Sequence, residues 1–398
     1  MTKIDSKKIE EILTRGIEEI IEKESLVRKL KSGKKLRIKH GIDPTVSDLH
    51  LGNAVILWKL KKFQNLGHEI ILIIGDFTAR IGDPSGKLTA RKMLTENEIK
   101  NNMKTYKKQM GKILNLNKTK IVYNSRHLSK LSFAEIYRIS HFFTVNQMLE
   151  RDMFQERKEG QKPIWFHEFF YPIFQAYDSV AIKADLEIGG NDQLFNMMMG
   201  RQLQPRFNQP PQDIMTMELL IGTDGGRKMS KSFGNYIGIQ EGPNEQYGKI
   251  MSIKDGLIPQ YFKLCTTLPS IEVKKIEKGL VNKKINPRDA KAKLAYEIVS
   301  LYHGQKSAAE AEKEFNKIFK KKELPSKMPT ISIAQKNIGI LDLLVKTKLA
   351  SSKSEAQRLI LQKGVKINGE IQTDWKKTVN IKKGTVLQAG KRRFMKII

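Results

Sequence analysis

Along roughly the first 240 residues, apolar and polar positions switch between two periods. Leu36-Arg-Ile-Lys-His40 alternates like a strand. Leu51 to Leu66 repeats at helical spacing, and Gly67 stands where a helix commonly stops, at the C′ position. Ile70 to Ile74 is wholly apolar and ends at Gly75-Asp76, which is how a strand buried on both faces of a parallel sheet reads. Ala184 to Ile188 predicts another strand, ending in Gly189-Gly190. Strands followed by helices predict a Rossmann-like, doubly wound parallel α/β sheet over residues 1–240, with ligands at the carboxyl ends of its strands.

From about Pro243 the pattern turns helical, predicting an α-helical domain over 241–325. Asn286-Pro287 reads as an N-cap and first helical position, with Asp289 in the first turn and Gly304 as the stop. Leu294, Ile298, Leu301 and Tyr302 recur between them at helical spacing. Pro325 and Pro329 mark a linker before a small α+β unit at 337–398. There Ser351 to Arg358 opens a helix, and Gly364 to Gly369 predicts a hairpin with Asn-Gly as its turn.

Composition narrows the class. No run approaches the roughly 20 apolar residues that cross a bilayer. The charged start, Met1 to Ile12, has no signal-peptide core. The single cysteine, Cys265, excludes an internal disulfide and cysteine-built metal sites, and it fits a reducing cytoplasm. The net charge of +30 fits a polyanionic partner. Lysine drift in an A+T-rich genome explains it equally well, because the basic residues are spread along the whole chain.

Two segments carry the chemistry. His50-Leu-Gly-Asn53, with Asp43-Pro-Thr45 upstream, sits between a predicted strand and a helix N-terminus, where unpaired N–H groups favour an anion. Gly52 would let a nucleotide approach closely. Lys228-Met-Ser-Lys-Ser232 follows the glycine-rich stretch Gly222 to Arg227, so a mobile loop with two lysines could close over a polyphosphate. Each segment alone has an ordinary explanation, as a polar helix cap and as a solvated basic loop. A third group, Tyr171, Gln175 and Asp178, lies at i, i+4, i+7 in the predicted helix Trp165 to Asp178 and therefore shares one face.

The ordered pair of HIGH-like and KMSKS segments resembles the class I aminoacyl-tRNA synthetases. With Tyr171-x-x-x-Gln175-x-x-Asp178, Gly82-Asp-Pro-Ser-Gly86 and Gly189-Gly-Asn-Asp-Gln193, nearly the whole chain resembles the bacterial, KMSKS-containing tyrosyl-tRNA synthetases. The resemblance implies tyrosine activation by ATP followed by transfer to tRNA. By position, Asp178 would meet the tyrosine hydroxyl, and Tyr171, Gln175, Thr78 and Asp83 would hold the ammonium group. Gln193 would lie against the carboxylate or the adenylate. Asp192, Gly189 and Gly190 would meet the ribose. Thr45 and His50 would stabilise the transferring phosphoryl group, and Lys87, Arg91, Lys228 and Lys231 the pyrophosphate. Gly41, Asp43, Gly52, Asn53, Met229, Ser230 and Ser232 would complete the ATP site.

The basic C-terminal unit resembles the RNA-binding fold named for small-subunit ribosomal protein four, with Lys353, Arg358, Lys363 and Lys366 as candidate tRNA contacts. The helical domain would bind the anticodon. The resemblance further implies a homodimer, formed through about 125–165 around Phe133 to Met153. Magnesium would accompany ATP, with no tightly held cofactor and no resident metal. Two positions depart from the family pattern. Asn53 replaces the motif's second histidine, and Lys39 stands where many relatives have a tyrosine that touches the substrate hydroxyl. A tryptophan-activating enzyme and a catalytically dead RNA-binding relative are the rival readings. The Tyr171/Gln175/Asp178 face argues against the first, and the intact Lys228, Lys231, His50 and Asp83 against the second.

Overall fold

Six strands build the sheet of the computed structural model: β1 (Ile17–Ile21), β2 (Arg37–Ile42), β3 (Glu69–Ile74), β4 (Thr119–Tyr123), β5 (Leu186–Gly190) and β6 (Asp213–Met217). Their order is β1-β6-β5-β2-β3-β4, with β1 antiparallel to β6 and every other pair parallel. From β2 the chain runs outward through β3 to β4, then returns to place β5 and β6 on the other side of β2. The reversal falls between β2 and β5, so a crevice opens at their carboxyl ends. Residues 6–85, 93–319, 324, 328–390 and 393–398 are described. They divide into two compact units, one ending at Gln305 and one beginning at Lys306.

The core of the first unit follows from the apolar pattern. Ile70 to Ile74 are all buried, as are Ile38, Leu186, Ile188, Ile214 and Met215 in the flanking strands. Helix α1 (Leu51–Asn65) buries Leu57, Leu60 and Phe63, and it ends as expected, with Gly67 at φ 90°. Helix α2 (Phe170–Ile182) differs from its prediction. Residues Phe166–Phe169 form a 3₁₀ turn, the α-helix starts after it, and Lys183 in the left-handed region closes it beyond Asp178. Strand β5 is also shifted. It begins at Leu186 and includes both glycines, because Gly189 and Gly190 continue the ladder opposite Thr216 and Met217.

The helical stretch from Pro243 to His303 belongs to the same unit, whereas the helix Gln305–Phe319 falls almost wholly in the second. Helix α3 (Pro287–His303) has the expected start, with the Asn286 side chain accepting the Arg288 N–H, and Gly304 at φ 84° ends it. Its Tyr302 hydroxyl accepts the indole N–H of Trp58 on α1 at 3.2 Å, which ties this helix to the one that opens the site.

The second unit has its own core of Leu343, Leu344, Ile360, Val365 and Leu387. Ser352 caps the helix Lys353–Leu361. The predicted hairpin pairs Val365–Ile367 with Glu370–Ile371 through Asn368 and Gly369, both at positive φ, as a type I′ turn requires. Among the described residues, no helix is long and apolar enough to cross a membrane.

Candidate active site

Between the carboxyl ends of β2 and β5 lies a cavity with about 420 Å³ of empty space, its mouth included. The face of α2 that the spacing predicts lines it with Tyr171, Gln175 and Asp178, and Gly41, Asp43, Thr78, Asn124 and Gln193 complete the polar wall. A chain of hydrogen bonds runs along this wall. The Tyr171 hydroxyl donates to one Asp43 oxygen at 3.0 Å, and the Thr78 hydroxyl donates to the other at 2.9 Å. The Asn124 amide donates to Thr78 at 3.1 Å and to Asp178 at 3.3 Å. His127 Nε2 closes the chain 2.6 Å from the other Asp178 oxygen. Gly75 makes the Asp43–Thr78 contact possible, since a Cβ there would lie 1.9 Å from Asp43 Oδ1 and 2.4 Å from Thr78 Oγ1. The wall is thus pre-formed and polar, shaped for a ligand with donors at both ends.

The carboxyl end of β2 borders the cavity. His40 lines it, with Nδ1 donating to the Ile188 carbonyl at 2.8 Å. Burial pushes its pKa down to about 4, so the ring is neutral at pH 7. Lys39 itself does not line the cavity, although its partners Gln175 and Glu187 do. Its ammonium is fully buried 2.9 Å from the Glu187 carboxylate and bonds the Ser179 hydroxyl and the Gln175 carbonyl. Lys39 is therefore a structural ion pair, and its ammonium is already committed where a tyrosine would touch a phenol in many relatives.

A larger cavity, with about 2130 Å³ of empty space including open solvent, adjoins the first. Thr45, His50, Gly52, Asn53, Asp83, Gly190 and Asp192 line it, together with Lys228, Met229, Ser230, Lys231 and Ser232. The two motifs meet because the chain after the second pairs with the start of the first. Leu51 N–H donates to the Ile237 carbonyl, and Ile239 N–H to the Leu49 carbonyl. Gly52 makes room for the His50 ring, which a Cβ would approach to 3.0 Å. Burial lowers the His50 pKa to about 4, so it can offer a phosphate an N–H but no charge. The positive charge falls to the lysines. Lys228 Nζ lies 2.6 Å from Asp192, and Lys231 Nζ lies 2.6 Å from Asp48. The loop expected to be mobile is anchored at its first end: Met229 is buried, its N–H bonds the Leu220 carbonyl, and the Asn235 side chain accepts the Ser230 N–H.

Asn53 caps its own helix. Its side-chain carbonyl accepts the His50 backbone N–H at 3.1 Å, which leaves the amide NH₂ for a ligand. Asn53→Ala is expected to lose both functions. Loss of that hydrogen bond should lower stability by about 1 kcal/mol, and, for the adenylation that the sequence resemblance implies, loss of the donor should raise the barrier by about 1–3 kcal/mol. Thermal unfolding and single-turnover adenylate formation, measured together, separate the two. A stability loss with an unchanged rate would make Asn53 a cap alone.

Asp83, expected to bind the ammonium group, lines the larger cavity and accepts from the Gln193 amide at 2.7 Å. Arg151, buried against Phe154 and Phe195, holds the same turn through the Ser85 hydroxyl at 2.6 Å. Asp43, expected at ATP, serves both cavities. Lys87 and Arg91 lie outside the described residues. In the second unit, Lys353, Arg358 and Lys363 are exposed and Lys366 is half-buried. Sequence reasoning missed Asp48, His40, Asn124 and His127. The last two follow the carboxyl end of β4, a position that would have nominated them had that strand been recognised.

The family model described as tRNA synthetases class I (W and Y) matches residues 31–320, and the tyrosine–tRNA ligase SYY-like C-terminal domain matches 320–397. The chain is 50% identical over 390 residues to a tyrosine–tRNA ligase of Moorella thermoacetica, covering 97% of this chain and 94% of that one. It is 49% identical over 386 residues to one of Thermotoga maritima, covering 97% and 96%. Its fold matches that of a tyrosyl-tRNA synthetase of Archaeoglobus fulgidus, solved with L-tyrosine, at a TM-score of 0.63 and 22% identity over 77% of this chain and 99% of that one.

Proposed function

We propose, on the premise that this chain belongs to the bacterial class I tyrosine–tRNA ligases, how its residues divide the two steps of that reaction. The enzyme joins tyrosine to AMP from ATP and then to tRNA. The inner cavity takes the amino acid, with its phenol at Asp178 and its ammonium group toward Asp43, Thr78, Tyr171 and Gln175. The outer cavity takes ATP, with the ribose at Asp192 and Gly190, the α-phosphate near Thr45, His50 and Asn53, and the pyrophosphate at Lys228 and Lys231. Gln193 lies where the two cavities meet and belongs to the carboxylate or adenylate. One observation carries this reading: the closed polar wall opens directly into the lysine-lined cavity.

In the first step, a tyrosine carboxylate oxygen attacks the α-phosphorus and pyrophosphate leaves. In the second, a ribose hydroxyl at the tRNA 3′ end attacks the adenylate carbonyl and AMP leaves. The carboxylate is already a nucleophile, so the first step needs alignment and charge stabilisation rather than a base. Neutral His50, which can offer an N–H, and two lysines fit that demand. Magnesium enters with ATP, held by its phosphates.

The basic second unit contacts tRNA through Lys353, Arg358, Lys363 and Lys366, and the helices after Pro243 face the anticodon. The exposed apolar side chains Phe133, Tyr137, Val145 and Trp165 support a homodimer through 125–165, since such side chains suit contact with a second copy. A cytoplasmic location fits the single free thiol of Cys265.

ATP–pyrophosphate exchange with each amino acid, run on the full chain and on one ending at Lys336, tests the whole assignment. Both should exchange with tyrosine and only weakly with tryptophan or phenylalanine. The shortened chain should charge tRNA poorly. The log–log salt slope of its tRNA binding should flatten by roughly 0.7–0.9 for each phosphate that is no longer neutralised. Equal exchange with all three aromatics would remove the tyrosine assignment, and unchanged tRNA affinity and slope would remove the second unit from the RNA interface.

A further inference from the structure

We propose that His127 is a positioning residue for amino-acid selection: it fixes the Asp178 carboxylate so that a free lone pair faces the phenol. This rests on the reading of Asp178 as the hydroxyl's partner. His127 itself does not line the cavity, so it acts only through Asp178.

The geometry makes His127 the main anchor of that carboxylate. Its Nε2 lies 2.6 Å from Oδ1, while the Asn124 amide reaches Oδ2 at 3.3 Å and is shared with Thr78. An ionised carboxylate only accepts, so Nε2 must carry the proton, which fixes the tautomer. The terminal torsion of an aspartate is broad, and an unanchored carboxylate would turn between many orientations. Lys39 offers no alternative anchor, because Glu187, Ser179 and the Gln175 carbonyl hold its ammonium.

His127 is itself held. It sits in the helix Ser125–Leu128 directly after β4. Ser125 donates to Asp76 through both its N–H and its hydroxyl, at 3.0 and 2.7 Å, and Leu128 is buried. The imidazole packs beside Tyr177, the neighbour of Asp178 on α2, with ring centroids 6.1 Å apart. The turn after β4 thus clamps the polar end of α2 and sets the direction of its carboxylate. A site built to accept one substrate hydroxyl discriminates through that direction as much as through the presence of an acceptor.

The test compares His127→Phe, which keeps an aromatic ring but no donor, with His127→Gln, which restores an N–H donor. For the phenylalanine variant, the tyrosine KM in exchange should rise about tenfold and the preference for tyrosine over phenylalanine should fall about tenfold. Its kcat and its KM for ATP should stay within about twofold. The glutamine variant should recover most of both losses. If the phenylalanine variant does not fold, His127→Ala carries the same expectation. An unchanged tyrosine KM and preference would overturn the proposal, as would a lower melting temperature with preference intact, which would mark a purely structural residue. Asp178→Ala, run in parallel, separates the two readings. If it lowers the preference and His127→Phe leaves the preference unchanged, only the His127 proposal falls. If it leaves the preference intact, the reading of Asp178 falls, and the role of His127 with it.

Discussion

Lys231→Ala should slow tyrosyl-adenylate formation by about 10²–10³-fold, the usual cost of removing one preorganised group that stabilises developing charge, and should hardly change tyrosine affinity. Lys231 lines the outer cavity alone, on the 3₁₀ turn Lys231–Phe233, and has no place on the wall of the inner one. In the free protein its ammonium pairs with Asp48, whose carboxyl that hydrogen bond holds below its ordinary pKa. The pairing is therefore complete at neutral pH and is lost only as pH falls through the lowered value. Both partners are about a third exposed, so the pair should contribute no more than roughly 1 kcal/mol to stability, and the variant should melt close to the parent. On the proposed assignment, the polyphosphate of ATP would take the place of Asp48, and the interaction would strengthen as charge builds on the leaving pyrophosphate. Single-turnover adenylate formation and equilibrium tyrosine binding decide the point. Equal losses in both would move Lys231 into the amino-acid pocket.

Asp178→Ala should lower kcat/KM for tyrosine by about 10- to 150-fold, the equivalent of one hydrogen bond to a charged group, and leave phenylalanine nearly unaffected. Asp178 is 3% exposed at the end of the wall formed by α2. On the proposed assignment, the phenol of bound tyrosine would replace the hydration that this buried carboxylate lacks. With phenylalanine bound, the charge would keep only His127 and Asn124, and the shortfall would reject the wrong substrate. Tyrosine-specific synthetases are themselves the standard illustration of this asymmetry. The substitution also leaves the His127 and Asn124 donors without their acceptor, so stability should fall by about 1–3 kcal/mol. Exchange rates with both amino acids, corrected for the folded fraction, provide the check. Parallel losses for tyrosine and phenylalanine would mean that Asp178 only holds the fold.

Some of the site was open to reading because it depends on local geometry. Tyr171, Gln175 and Asp178 share a face wherever the chain is helical, so their spacing grouped them before any neighbour was known. Gly67, Asn286 and Gly304 mark helix ends through backbone preferences that act within one turn. The error at α2 was a boundary error, in which an apolar run hid a 3₁₀ turn before the true helix. The error at β5 had another cause. Gly189 and Gly190 have little strand preference of their own, and the ladder to β6 holds them in line.

The sequence by itself determined the class of fold, the family, and the residues whose charge or spacing suits nucleotide and amino-acid chemistry. Only the tertiary structure decided which of them meet. Local patterns set elements, whereas partners are set by strand order and by contacts between segments far apart in the chain. Lys39 looked like a gap in phenol recognition until the β2–β5 pairing set it against Glu187. His127 drew no notice in the sequence, and only the order β2-β3-β4 carries the turn after β4 to α2. The two signature motifs, nearly 180 residues apart, share a cavity because residues 49–51 pair with 237–239. No periodicity records such a pairing, since its free energy comes from closing a long loop against packing that exists only in the folded chain.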